Sequence, residues 1–268
     1  MTIDVPLLRN LIIEAAEQEI LSRFQQIESH KKADGSLVTE ADLAVQRRLI
    51  GRLQAIHPEI PLLGEEMPVQ QQEQVLADSP AGFWCLDPLD GTSNYVAGIP
   101  CFATSLAYIH QGVVRIGIIY DPLRQECFHA VRGEGAWLNG NRLRLQATTG
   151  ELKNCVAMVD FKRLSERLAG RLATQPPYRS QRNIGSVALD WCWLAAGRLQ
   201  LYLHGRAKLW DYAAGSLIHL EAGGHLRLTS GHVSQPEEFH LTLQPRMAVA
   251  AADERLFRNW FEWLSHYD

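Results

Sequence analysis

The densest chemistry in the chain lies between Trp84 and Tyr95, which read WCLDPLDGTSNY. Asp87 and Asp90 set two carboxylates close together, just after an apolar run, Phe83–Leu86, that reads as a buried strand. Pro88 lacks a backbone N–H, so a strand ladder cannot simply continue through it. Gly91 permits a tight turn or a close backbone approach, and Thr92 with Ser93 suits the start of a helix. Two carboxylates beside free backbone N–H groups can hold divalent cations and a phosphate in one place. The plainer reading of the same residues is an Asp-Gly turn after a core strand. An EF-hand loop needs ligands at its positions 1, 3 and 5 and Gly at 6. Here the second Asp falls at position 4 and Gly at 5, which excludes it.

Three other stretches carry acidic residues in suggestive settings: VTEAD at Val38–Asp42, LLGEE at Leu62–Glu66 and WDYAAG at Trp210–Gly215. Taken singly each has a plain explanation. Glu65 and Glu66 read as a solvated acidic turn, Asp42 as a residue complementing a helix dipole, and Asp211 as a helix N-cap. Taken together, Glu65, Asp87, Asp90 and Asp211 make an all-oxygen set suited to Mg²⁺, with Mn²⁺ as a substitute. No His or Cys cluster has ligand spacing, which disfavours zinc and iron. Phosphate monoester hydrolysis needs mainly charge neutralisation and an aligned water. A pair of metal ions roughly 3.5–4 Å apart can supply both.

The D-P-x-D-G-T stretch, with the other three motifs in order around it, resembles the inositol monophosphatase family over about residues 32 to 224. The resemblance implies a layered α-β-α-β-α sandwich and a lithium-sensitive, Mg²⁺-dependent phosphomonoesterase acting on inositol monophosphate or a similar small phosphate. It implies that Glu65, Asp87 and the Leu89 carbonyl hold one Mg²⁺, and that Asp87, Asp90 and Asp211 hold a second. The family also has a third, weaker ion near Glu65. Gly91 and Thr92 are implied to give backbone N–H groups to the phosphate. Thr92, hydrogen-bonded to Asp42, is implied to orient and help deprotonate the attacking water, so that Asp42, Thr92 and Glu65 are the catalytic set. The substrate surface is implied to comprise Asp90, Gly91, Thr92, Gly185, Ser186, His204, Arg206 and Asp211, and the assembly to be a homodimer.

The chain departs from the family pattern on the side that reads the alcohol. His204 stands where an acidic residue is usual, Arg206 where glycine is usual, and Gly185–Ser186–Val187 replaces G-T-A. Either the difference is neutral, or His204 or Arg206 meets an anion on the substrate, since arginine pairs bidentately with carboxylate or phosphate. The second possibility keeps phosphatases of 3′-phosphoadenosine 5′-phosphate, fructose 1,6-bisphosphate and histidinol phosphate open. Ser93–Asn94–Tyr95 is closer to the T-N-F of inositol monophosphatases than to the lysine-bearing nucleotidase pattern. A non-catalytic metal- and phosphate-binding regulator is the rival from another class; such a chain is expected to have lost a metal carboxylate or the Thr–Asp pair.

Positioning these groups takes 268 residues, enough for one large domain or two intimately packed halves, 1–150 and 151–268, with a composition shift near Leu145–Leu152. An apolar fraction of 46% supplies a sizeable core, and a net charge of −4 with dispersed Lys and Arg argues against a nucleic-acid polymer as partner. No window reads as membrane-spanning and the first residues do not read as a secretory leader, so a cytoplasmic enzyme is expected. Cys85, Cys101, Cys127, Cys155 and Cys192 read as reduced, mostly buried thiols.

The patterning predicts a first helix to about Phe24, an exposed loop over 28–37, and a helix capped by Thr39. A short strand at Leu62–Leu63 and a solvated connection at Gln70–Gln74 follow. Strands are predicted at Phe102–Ile109, Val113–Tyr120, Glu126–Val131 and within 133–141, then at Val156–Val159, Leu199–Leu203 and Met247–Ala251. Helices are predicted at Ser165–Ala173, Ile184–Ala196, Tyr212–Ala222 and Glu254–Leu264, with a surface loop at Gln175–Arg182. Strands and helices alternate in blocks, which favours a mixed-sheet α+β or α/β sandwich over a barrel.

Overall fold

The computed structural model describes residues 3–24, 29–31, 37–231 and 241–267. The leading apolar stripe forms α1 (Val5–Ala15), capped by Asp4, whose carboxylate accepts the Leu7 N–H at 2.9 Å. Helical turns continue to Arg23, close to the predicted end. Where an exposed loop is predicted, β1 (Ser29–Lys31) and β2 (Leu37–Thr39) pair antiparallel; residues 28 and 32–36 of that prediction lie outside the described residues. Thr39 then starts α2 (Glu40–Ile56).

A run of short elements follows: β3 (Leu62–Gly64), α3 (Val69–Ala77), β4 (Phe83–Asp90), α4 (Thr92–Val96), β5 (Ala103–His110) and β6 (Val113–Asp121). Next come β7 (Glu126–Val131), β8 (Gly135–Leu138) and β9 (Asn141–Leu143). The second part of the chain gives β10 (Val156–Asp160), α5 (Glu166–Thr174), β11 (Ser180–Arg182), α6 (Val187–Ala195) and β12 (Leu201–Ala207). It closes with α7 (Leu209–Glu221), β13 (His225–Thr229), β14 (Arg246–Ala251) and α8 (Glu254–Ser265).

The strands form a seven-stranded sheet ordered β3-β4-β5-β6-β7-β8-β9 and a five-stranded sheet ordered β11-β10-β12-β14-β13. Side chains on a strand alternate between faces, and that alternation builds the layers. Trp84 and Leu86 of β4 pack with Leu8, Ile12, Val45 and Leu49 of α1 and α2. Phe83 and Cys85, one residue out of phase, join Trp191 and Leu194 of α6 and Ala214 and Leu217 of α7. The same middle layer takes Tyr202 and Ala250 from the second sheet. Leu201, Leu203 and Val249 face the other way, onto Leu168 of α5 and Leu256 and Trp260 of α8. Helices, sheet, helices, sheet and helices thus stack in the α-β-α-β-α order.

The structure corrects further sequence expectations. The glutamine tract is helical, forming α3; Gln72 is buried and donates to the Gly64 carbonyl, while Gln70, Gln71 and Gln74 stay exposed. Residues 180–182 of the predicted surface loop form the edge strand β11, paired parallel to β10. α6 starts at Val187, later than Ile184, because Gly185 takes a positive φ of 76° and Ser186 caps the helix. β12 runs on to Ala207, so His204 and Arg206 sit in a strand; β13 was not predicted.

Candidate active site

β4 delivers the two aspartates by breaking its own register. Asp87 pairs with Ser105 of β5, the pairing then shifts, and Asp90 pairs with Ala103. Pro88 falls within the shift, where its missing N–H leaves no ladder position unfilled, and its carbonyl accepts the Thr104 hydroxyl at 2.9 Å. Asp87 Oδ1 accepts the Leu89 N–H at 3.1 Å, so the strand end curls around its own carboxylate. The bend brings Asp87 and Asp90 to Asp211, and one carboxylate oxygen from each of the three lies within 4.8 Å of the others.

Asp90 is held from across the middle layer. The Ser186 hydroxyl donates to its Oδ2, and the N–H groups of Val187 and Ala188 donate at 3.2 and 2.9 Å. These are orphan donors of the first turn of α6, which favour an anion. Ser186 is 1% exposed and stands behind Asp90 as a support. Asp211 is the third residue of α7, not its N-cap, and its Oδ2 reaches back to the Lys208 N–H at 2.7 Å. The turn after it can pack only because Gly215 has no side chain, since a Cβ there would lie 2.4 Å from the Cβ of Trp191. Glu65 extends the β3–β4 pairing through its N–H to Leu86 O at 3.0 Å. It stands outside the group of three.

Burial dominates the electrostatics. It pushes the carboxyls of Asp87 and Asp211 well above the usual carboxylate range, and the neighbouring acids push them further. Asp90 is raised to about 6 by burial, against the lowering effect of the Ser186, Ala188 and Val187 hydrogen bonds. In each case the charge of Glu65 adds to the rise, which sets this carboxylate within electrostatic reach of the group.

Thr92 closes the other side. Its Oγ1 lies 3.2 Å from Asp42 Oδ1 and 2.9 Å from the Leu89 carbonyl oxygen. Asp42 is fully buried, and its Oδ2 accepts the N–H and the hydroxyl of Thr39 at 2.8 and 2.6 Å. Burial raises its carboxyl to about 6, offset by the two Thr39 bonds. Gly91, at φ 91°, turns the chain from β4 into α4, and a Cβ there would sit 2.8 Å from the Cys101 carbonyl.

Several supporting residues carried no signal in the sequence. Gln72 donates to the Gly64 and Glu65 carbonyls at 2.8 and 3.3 Å, and Gln46 accepts the Glu66 N–H at 3.3 Å, so two amides fix the strand end that carries Glu65. Asn94 ties Cys101 O to Ile184 O at 2.8 and 2.7 Å, which joins the start of α4 to the turn at Gly185. Such long-range amide contacts have no spacing rule. His204 is 5% exposed, and its Nε2 lies 3.4 Å from Oδ2 of Asp160, its partner in the β10–β12 register. Arg206 is exposed.

Three carboxylates within 4.8 Å, Asp87 and Asp90 buried and Asp211 half-buried, repel one another unless protons or a cation compensate them, and their donors are all hard oxygens. Cys85, buried beside them, has its thiol held well above its usual range by burial, and its sulfur is not in the group that converges. The residues therefore fit a divalent cation of the Mg²⁺ or Mn²⁺ kind.

This layered sandwich, with acids gathered at a broken strand end and at the start of a helix, is the architecture of a metal-dependent phosphatase fold. The chain belongs to the inositol monophosphatase family, whose model matches residues 4–262. It is 36% identical over 224 residues to the Nus factor SuhB of Pasteurella multocida, covering 79% of this chain and 82% of that protein. It is 34% identical over 240 residues to inositol monophosphatase 1 of Solanum lycopersicum, covering 87% and 84%. Among solved structures, an IMPase of Thermotoga maritima superposes with a TM-score of 0.81 at 25% identity, covering 98% of this chain and 96% of that one. Among the described residues, no helix is long and apolar enough to cross a membrane.

Proposed function

We propose that this chain is a Mg²⁺-dependent phosphomonoesterase that hydrolyses inositol monophosphate or a similar small phosphate. The observation that carries the reading is the contact between Thr92 and Asp42, standing beside the group of Asp87, Asp90 and Asp211. Asp87, Asp90, Asp211 and Glu65, with the Leu89 carbonyl, would hold the cations. When bound, Mg²⁺ supplies charge neutralisation at the phosphate and lowers the pKa of water.

The chain's own groups do the rest. The N–H groups of Gly91 and Thr92, at the start of α4, bind phosphate oxygens. The Thr92 hydroxyl orients the attacking water and passes its proton toward Asp42, whose carboxyl, raised to about 6, can accept it near neutral pH. Water oxygen bonds to phosphorus as the phosphorus–alcohol oxygen bond breaks, and the leaving oxygen takes a proton as free alcohol. On the alcohol side, Asp160 on the neighbouring strand lies 3.4 Å from His204, and we assign to it the role of the acidic residue absent at position 204. That supports a hydroxyl-rich alcohol over a second phosphate. Lithium sensitivity and a homodimer accompany this reading as proposals drawn from the family.

A non-catalytic metal- and phosphate-binding regulator would leave the Thr92–Asp42 contact without a task. The test is phosphate release from inositol 1-phosphate, 3′-phosphoadenosine 5′-phosphate, fructose 1,6-bisphosphate and histidinol phosphate, with Mg²⁺ and with EDTA. Mg²⁺-dependent turnover with inositol 1-phosphate preferred is expected; no release from any of the four sinks the reading.

A further inference from the structure

A second polar cavity, of about 590 Å³, opens where α1 begins, on the face of the seven-stranded sheet that α1 packs against. α1 and α2 bury Ile116, Ile118 and Cys127 on β6 and β7, and the cleft forms beside them, along β7 and β8. Three arginines line it, Arg9 from α1, Arg115 from β6 and Arg132 beyond β7, and none has an ion-pair partner among the described residues. Two acids also line it, and neither neutralises the arginines. Asp4 spends its carboxylate on the Leu7 N–H as the helix cap, and Glu134 is exposed at the rim.

Two of the lining residues each hold a buried polar atom with no hydrogen-bond partner among the described residues: Arg9 Nε and His129 Nδ1. His129 is 8% exposed, so its ring is more than nine-tenths buried. A buried polar atom left unpaired costs about 1–3 kcal/mol, which a polar ligand recovers once the side chain turns toward it. The rest of the wall is flat and apolar. His129 stacks on Trp137 with ring centroids 5.2 Å apart, and Tyr108 and Ile116 continue the surface across the sheet. The volume falls in the range that holds a small organic ligand, well beyond a single inorganic anion.

We infer that this cavity binds a small organic phosphate, the guanidinium groups of Arg9, Arg115 and Arg132 taking the phosphate and the Trp137–Tyr108 wall taking an apolar or aromatic body. Arginine suits this role because its planar fork matches phosphate oxygens and remains charged at every physiological pH. None of the lining residues belongs to the carboxylate site, so occupancy here is independent of the metals.

The test is isothermal titration of the whole chain with phenylphosphonate, which is not a phosphate ester, in EDTA so that the carboxylate site holds no cation. Saturable one-to-one binding is expected. Loss of a charged hydrogen bond in Arg115→Gln or Arg132→Gln should weaken it by at least about tenfold. Arg132 is exposed and gives up one bond, from Nε to the Val114 carbonyl at 2.8 Å, so thermal unfolding of both variants separates lost binding from a lost fold. Inorganic phosphate alone should bind at least about tenfold more weakly, because it lacks the body the wall accepts. Asp87→Asn should leave binding unchanged. Absence of saturable binding, binding indifferent to both arginine variants, equal binding of inorganic phosphate, or loss of binding in Asp87→Asn would each overturn the inference. None of these outcomes bears on phosphate release with Mg²⁺, so the two readings fail separately.

Discussion

Thr92 Oγ1 lies 3.2 Å from Asp42 Oδ1, and the two residues are 50 apart in the chain. The contact joins the first turn of α2 to the first turn of α4, and Thr39 fixes its far side through both of its own donors. A hydroxyl held between a buried carboxylate and the Leu89 carbonyl has its orientation set before any substrate arrives. Thr92→Ala and Asp42→Asn are therefore expected to lower kcat with little change in KM, since they act on the water and not on the bound ester. Their double mutant should cost about as much as either alone. Steady-state kinetics on the four proteins decides it, and fully additive losses would reduce Asp42 to a helix-capping role.

Ser186 supports Asp90 and caps α6 with one hydroxyl, which accepts the Leu189 N–H at 3.3 Å while donating to the carboxylate. Ser186→Ala removes both bonds. A loss of roughly 1–3 kcal/mol of stability is expected, together with a higher Mg²⁺ concentration for half-maximal activity. Thermal unfolding and a metal activation curve measure the two effects. An unchanged activation curve would show that the Val187 and Ala188 N–H groups alone position Asp90.

The raised carboxyls make the metal-free protein respond to pH in a definite direction. The Asp42 carboxyl moves from 3.8 to about 6 on folding, so between these values the folded chain keeps a proton that the unfolded chain has lost. Stability without metal is expected to fall as pH rises through that window, by roughly 3 kcal/mol from Asp42 alone. Asp87, Asp90 and Asp211 shift in the same direction. Mg²⁺ should therefore raise the unfolding temperature more at pH 7.5 than at pH 5. Differential scanning calorimetry at both values, with EDTA and with Mg²⁺, tests this; an equal metal effect at the two would contradict it.

The local turns that present Asp87, Asp90 and Thr92 were legible from local rules. Strand alternation, the proline break, Gly91 and the helix starts at Thr39 and Thr92 are each written within a few residues. The supports were not legible, because they are long-range. Gln72 sits in a tract that composition alone reads as solvated, yet it is buried against the Gly64 carbonyl. The His204 environment depends on which strand lies beside β12, and no periodicity within 201–207 names β10 as that neighbour. β13 was missed for a similar reason, since its short pattern is stabilised by pairing with β14.

That neighbour changes what substitution at His204 will do. A His204→Glu variant puts a second carboxylate beside Asp160, whose oxygen lies 3.4 Å from the present imidazole. The variant is expected to lose roughly 1–3 kcal/mol of stability, with a larger loss at pH 8 than at pH 4.5, where both acids are partly protonated. Adding Asp160→Asn should recover most of the loss, as expected for a coupled pair. Thermal unfolding of the single and double variants reads the coupling, and strict additivity would mean that the two side chains do not interact.

The central claim is that Asp87 and Asp90 hold catalytic metal. Its most direct test is Mg²⁺-dependent release of phosphate from inositol 1-phosphate by the wild-type chain and by folded Asp87→Asn and Asp90→Asn. Release that requires Mg²⁺, stops with EDTA and falls by about a thousandfold or more in each variant is the predicted result. Wild-type turnover in either folded variant, or turnover indifferent to EDTA, would contradict it.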